Sequence, residues 1–160
     1  MFKIYLEYDE ADFFEYDLAK NTISKILLPR TDFKICPLTK NLRYTIPYTD
    51  NGWVLCLPSN IIALDDITKL FAFKNEKYAV MVAGNVILWN CEHEGNYTKT
   101  FEPRFDVEYL NTWESGKFPW LREDEIGVLP IENIIHCVTD PKNDEIFINE
   151  YNKIRNEYYV

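Results

Sequence analysis

The chain has 160 residues, 47% of them hydrophobic and 16% aromatic, which is far too much apolar material for a disordered chain. That length predicts one core and a single domain spanning residues 1–160. The formal net charge is −9 and is unevenly spread: residues 1–80 hold 10 Lys and Arg against 11 Asp and Glu, and residues 81–160 hold 7 against 15, leaving −1 and −8. Such a surface repels phosphate backbones, which speaks against direct DNA or RNA binding, and it attracts a basic protein.

From the N-terminus, Phe2, Ile4, Leu6 and Tyr8 alternate with other residues at period two and predict a strand. Charge within Met1–Glu7 also breaks the apolar run that a secretory signal requires. Phe14, Tyr16 and Leu18 restart the alternation after a polar turn, and Ile23–Leu28 reads as a third strand halted by Pro29, so a β-meander is expected. Residues 30–47 carry Pro37 and Pro47 and predict loops around one short strand.

Asn51-Gly52 signals a tight reversal into a buried strand, Trp53–Leu57. Ser59 suits the cap of a short helix, and Ile67–Phe73 fits a strand as well as a helix. Tyr78–Ala83 and Val86–Cys91 flank Gly84-Asn85 and predict the clearest hairpin in the chain. Further on, Tyr97–Phe101 reads as a strand, Asp106–Glu114 as a short helix and Ile134–Val138 as a last strand. Asp140-Pro141 provides an N-cap and a first-turn proline, and Phe147, Tyr151, Ile154 and Tyr158 follow at helical spacing. The expected class is α+β: a mainly antiparallel sheet of about six to eight strands with one to three helices, including an amphipathic C-terminal helix.

No apolar stretch approaches the roughly 20 residues of a membrane helix. The cysteines Cys36, Cys56, Cys91 and Cys137 are scattered in apolar surroundings, which predicts free thiols and a cytoplasmic location. The five glycines stand alone, so no phosphate-cradling loop is recognisable, and none of the three serines sits in a nucleophile elbow. Both histidines lie beside cysteines, as Cys91-Glu92-His93 and His136-Cys137. On strands, neighbours face opposite sides, so at most three of these four converge without a bulge, and neither a metal nor another cofactor is expected.

Two stretches combine acid with aromatics. Asp9, Glu10 and Asp12 lie among Tyr8, Phe13, Phe14 and Tyr16; Trp113, Glu114, Phe118 and Trp120 precede Glu123-Asp124-Glu125. Aromatic anchors within charge have the composition of a binding hot spot, although the same rings could instead fold back and plug the sheet edge. With no catalytic motif, the expectation is a non-enzymatic inhibitor of a basic partner, most specifically an immunity protein that neutralises a nuclease toxin. The alternatives are an enzyme using His93 or His136 with neighbouring glutamates or a Cys-His pair, and a subunit of a larger assembly.

Overall fold

The computed structural model describes residues 1–8, 13–39, 42–96, 117–131, 134–137, 152–153 and 156–157. In chain order they form β1 (Phe2–Tyr8), α1 (Phe13–Leu27), β2 (Phe33–Thr39), a 3₁₀ turn at Arg43–Thr45 leading into α2 (Ile46–Thr49), β3 (Trp53–Leu57) and β4 (Ile61–Ala63). A 3₁₀ segment at Ile67–Phe73 precedes β5 (Val80–Ala83) and β6 (Val86–Asn90); 3₁₀ turns at Glu94–Asn96 and Glu123–Glu125 precede β7 (Ile126–Val128) and β8 (Ile135–Cys137). The class is α+β. Six strands make one mixed sheet in the order β2-β1-β3-β6-β5-β7, and β4 pairs with β8 separately.

Parallel pairing joins β1 to β2, β1 to β3 and β5 to β7, whereas β6 is antiparallel to both β3 and β5. Five strands of the main sheet therefore point one way, and β6 alone runs back. Parallel neighbours need a long crossover, usually a helix. Residues 13–27 supply it, and this corrects the expected meander. Tyr16, Ala19, Ile23 and Leu27, at spacings of three, four and four, are all buried, a helical stripe lying under the apparent alternation. That stripe packs with Ile4, Leu6, Leu55, Leu57 and Leu88 in one core layer.

The opposite face of the sheet carries Leu38, Val54, Cys56, Val80, Ile87 and Trp89, covered by Tyr44, Ile46 and Phe118. Both faces are thus buried, so β3 and β6 read as continuous apolar runs and not as alternations. The reversals at Asn51-Gly52 and Gly84-Asn85 occur as expected, with Gly52 at φ 69° and Gly84 at φ 59°, the left-handed region that glycine enters without penalty. Pro37 lies within β2, where it is tolerated because β2 is an edge strand. Ser59 leads into β4 and not into a helix, and Ile67–Phe73 is helical, with Asp66 accepting from the Thr68 N–H at its start.

The strand expected at Tyr97–Phe101 and the helix at Asp106–Glu114 lie outside the described residues. So does most of the expected C-terminal helix; among its residues 152–153 and 156–157 are described, and these are helical. Among the described residues no helix is long and apolar enough to cross a membrane.

A polar tie fastens α2 to the start of β1. The buried Asp50 carboxylate receives the Lys3 ammonium, the Tyr5 hydroxyl at 3.0 Å and the Thr49 hydroxyl at 3.0 Å, while its own N–H donates to Ile46 O at 3.0 Å. Hydrogen bonding to Asp50 raises the pKa of Lys3. Asp50→Ala leaves the Tyr5 and Thr49 hydroxyls without this acceptor and is expected to cost about 2 kcal/mol, with the Lys3 share reduced by water because that side chain is 36% exposed. Urea unfolding measures it; an unchanged midpoint would show that the tie contributes nothing.

Cys36, Cys56 and Cys91 are free thiols. Burial pushes Cys56 well above the usual thiol value and Cys91 up to about 12. Native alkylation with iodoacetamide should therefore spare both, and denaturant should expose them. The sign of the pH dependence follows. Between the ordinary value of 9.0 and about 12 the unfolded chain releases the Cys91 proton while the folded chain keeps it, so this contribution to stability declines as pH rises through that window. Denaturation midpoints of Cys91→Ala, flatter than those of the parent over the same window, would check it.

Candidate functional site

The shared strand direction defines two edges. At the carboxyl edge lie Tyr8, Thr39, Leu57, Ala83 and Val128, the last residues of β1, β2, β3, β5 and β7. The chain leaves β1 towards β2 on one side and then crosses to place β3 on the other. A reversal of strand order of this kind opens a crevice above the carboxyl ends, which is where ligands bind in open sheets with parallel strands.

Described polar residues near this edge include Glu7, Thr39, Arg43, Ser59 and Asn60. Glu7, the penultimate residue of β1, is buried and faces Arg43 at 3.5 Å, and Arg43 Nη1 also reaches Asn85 Oδ1 in the β5–β6 turn at 3.4 Å. The backbone of Arg43 is held in turn, since its carbonyl accepts from Trp89 Nε1 at 3.1 Å. Ser59 and Asn60 are half-buried in the turn after β3, where they offer a hydroxyl and an amide. The acids Asp9, Glu10 and Asp12 belong to the connection from β1 to α1 and lie outside the described residues. Farther along the same edge an apolar groove of about 730 Å³ is lined by Phe73, Ala83, Val128, Leu129 and Ile134.

A second concavity, about 580 Å³, opens at the amino edge. It collects Lys77 from before β5, His93 from after β6, and Trp120, Arg122, Asp124 and Glu125 from before β7. His93 is bonded at both ring nitrogens. Nδ1 accepts the Gly95 N–H at 2.9 Å and Nε2 lies 3.1 Å from Lys77 O, which assigns the neutral tautomer protonated at Nε2. Glu125 accepts the Arg122 N–H at 2.9 Å through Oε1 and holds Oε2 4.0 Å from His93 Nδ1. A Cβ at Gly95 would stand 2.3 Å from Glu125 Oε2, so a larger residue there would displace the end of that carboxylate.

The expected site residues divide accordingly. Trp120, Asp124 and Glu125 meet in this cleft, with Glu123 and Asp124 exposed. Phe118 is buried at 4% exposure against Trp89 and Tyr44, at ring distances of 5.3 and 5.6 Å. Trp120 stacks on Trp89 at 6.1 Å and 10° between planes, and donates from Nε1 to Asn96 Oδ1 at 2.9 Å. Those two rings fold back onto the sheet, so Phe118 is not available to a partner. Trp113 and Glu114 lie outside the described residues.

The Cys-His pair does not form at residue 91. The Cys91 thiol is bonded to Ile46 O at 3.8 Å, away from the two partners of His93. His136 and Cys137 sit on β8, paired with Ile62 and Ile61 of β4 in the separate two-stranded sheet. Among the described residues no three His, Cys, Asp or Glu side chains gather as metal ligands. Lys77, Gly95, Asn96 and Arg122 had no signature along the chain; their roles arise from pairings between distant turns.

No family model matches the sequence, and no curated protein does. Solved structures do match. The crystal structure of the glycosyltransferase GlyE of Streptococcus pneumoniae TIGR4 superposes with a TM-score of 0.57 at 16% identity, covering 98% of this chain and 62% of that one. The apo form of the same glycosyltransferase gives 0.58 at 15% identity, covering 99% and 63%. The chain shares its fold with these structures. At this identity the likeness is one of fold, and the chain spans less than two-thirds of the length of the structures it matches. It nevertheless corrects the expectation that the protein is not an enzyme. That expectation rested on missing linear motifs, and a crevice at strand ends is assembled from short, separate pieces that leave none.

Phe118→Ala should lower stability by about 3 kcal/mol, the cost of emptying a packed aromatic site. Reversing the exposed Glu123 and Asp124 to Lys should change it by less than about 0.5 kcal/mol. Thermal or urea unfolding of the two variants tests the assignment of one to the core and the other to the surface; equal losses would contradict it.

Proposed function

We propose that the chain belongs to a sugar-transferring enzyme and binds an activated sugar donor, a nucleoside diphosphate sugar, in the crevice between β1 and β3 at the carboxyl edge. The observation that carries this reading is the superposition of nearly the whole chain on a glycosyltransferase, beside the reversal of strand order that this chain makes at β1. Transfer requires an acceptor hydroxyl to attack the anomeric carbon as the bond from that carbon to the diphosphate oxygen breaks. The diphosphate leaves with the electron pair, and the hydroxyl proton passes to a base or to water. Charge grows on the departing diphosphate, so fixed donors directed at it lower the barrier.

Among the described residues near this edge, Arg43 supplies a cation, already held by Glu7 and Asn85, and Ser59 and Asn60 supply neutral polar groups. The net charge of −9 makes such a local cation the more necessary, because the surrounding field repels a nucleotide. A cytoplasmic location, where such donors are made, agrees with three free thiols among the described residues.

Thermal unfolding of the chain with a panel of nucleoside diphosphate sugars, with and without magnesium or manganese, tests the proposal. At a hundredfold excess over Kd, a true donor stabilises the fold by about 2.7 kcal/mol. Arg43→Gln and Ser59→Ala should each weaken that effect while a donor remains detectable. No stabilisation by any donor, in either condition, would overturn the reading.

A further inference from the structure

We infer that the amino-edge cleft is a binding site for a neutral saccharide, separate from the crevice at the carboxyl edge and independent of the transfer reaction. Its volume of about 580 Å³ lies in the range of small-molecule sites. The lining joins one indole to several planar polar groups: Trp120 with the His93 imidazole, the Arg122 guanidinium and the carboxylates of Asp124 and Glu125. A sugar ring presents both kinds of surface, C–H bonds that lie against an aromatic ring and hydroxyls that pair with planar donors and acceptors.

The indole is set in advance. Stacking on Trp89 and the hydrogen bond to Asn96 fix Trp120, so a ligand would not bear the entropy of ordering it. Glu125 is likewise held by the Arg122 N–H, and His93 by Gly95 and Lys77 O.

Charge decides the ligand class. Lys77 and Arg122 face Glu94, Asp124 and Glu125, with His93 neutral, so carboxylates outnumber cations. Arg122 is moreover shared between Asp124 at 3.3 Å and Glu125 at 3.6 Å. A nucleotide or other polyanion meets net repulsion there, whereas a polyhydroxylated neutral ring meets donors and acceptors without a charge penalty.

The full chain is titrated separately with lactose, cellobiose and N,N′-diacetylchitobiose while the Trp120 indole N–H and the Gly95 and Asp124 amides are followed by NMR. At least one disaccharide should shift these signals saturably. Asp124→Ala, at an exposed residue whose loss leaves the fold intact, should weaken that binding about tenfold, as removal of a hydrogen bond to a charged group does. Glu123→Ala, outside the cleft, should leave it unchanged. The inference is overturned if no disaccharide gives saturable shifts, if the two variants behave alike, or if a nucleoside diphosphate moves the same signals more strongly than any sugar. Shifts at Ser59 and Asn60 in a parallel titration with nucleoside diphosphate sugars report on the other edge, so either site can fail without the other.

Discussion

The parallel pairing of β1 on both sides is the constraint on which the rest of this structure depends. A parallel neighbour cannot be reached by a tight turn, so the chain must cross a face of the sheet between β1 and β2 and again between β2 and β3. The first crossing is α1, which covers one face with Tyr16, Ala19, Ile23 and Leu27. The second brings Tyr44 and Ile46 onto the other face, over Val54, Cys56 and Trp89. Two requirements of connectivity thereby build both core layers, and Asp50 fastens the end of the second crossing to Lys3 and Tyr5 on the strand it serves.

The same constraint separates the molecule into two chemical edges. Because β1, β2, β3, β5 and β7 share a direction, their carboxyl ends gather at one side, with the reversal of strand order at β1 and the Glu7–Arg43 pair beside it. The reversed strand β6 ends at the other side and carries His93 there, next to the turns that precede β5 and β7. Glu125 and His93 meet only because β5 pairs with both β6 and β7, which draws residues 32 positions apart into one cleft. The aromatic cluster of Trp89, Phe118 and Trp120 then links this cleft to the second core layer, so a residue that looks like a surface anchor in the sequence is in part a structural element.

Local pattern and turn chemistry made several elements legible. The hairpin at Gly84-Asn85, the reversal at Gly52 and the strand Trp53–Leu57 stand where expected, since each depends on residues in contact along the chain. Residues 13–27 are ambiguous in sequence, because Phe14, Tyr16 and Leu18 satisfy a strand's period of two while residues 14 and 18 also satisfy a helix's spacing of four. Packing resolved the ambiguity, since only a helix lets Tyr16, Ala19, Ile23 and Leu27 reach β1 and β4 together. The site was less legible still. Trp120, Asp124 and Glu125 attracted notice through composition, but Lys77, Gly95 and Arg122 are ordinary residues until the turns are brought together.

What the sequence determined by itself was the α+β class, the tight turns, the acidic character and the burial of Cys56 and Cys91, though not of Cys36, which is half-buried, and these follow from composition and from neighbours within a few positions. Only the tertiary structure decided that the strands run mostly one way, that Phe118 belongs to the core, and that the chain shares the fold of a glycosyltransferase. The physical reason is that strand direction and order are set by which long crossovers bury the most apolar surface at once, a sum over the whole chain that no local window contains.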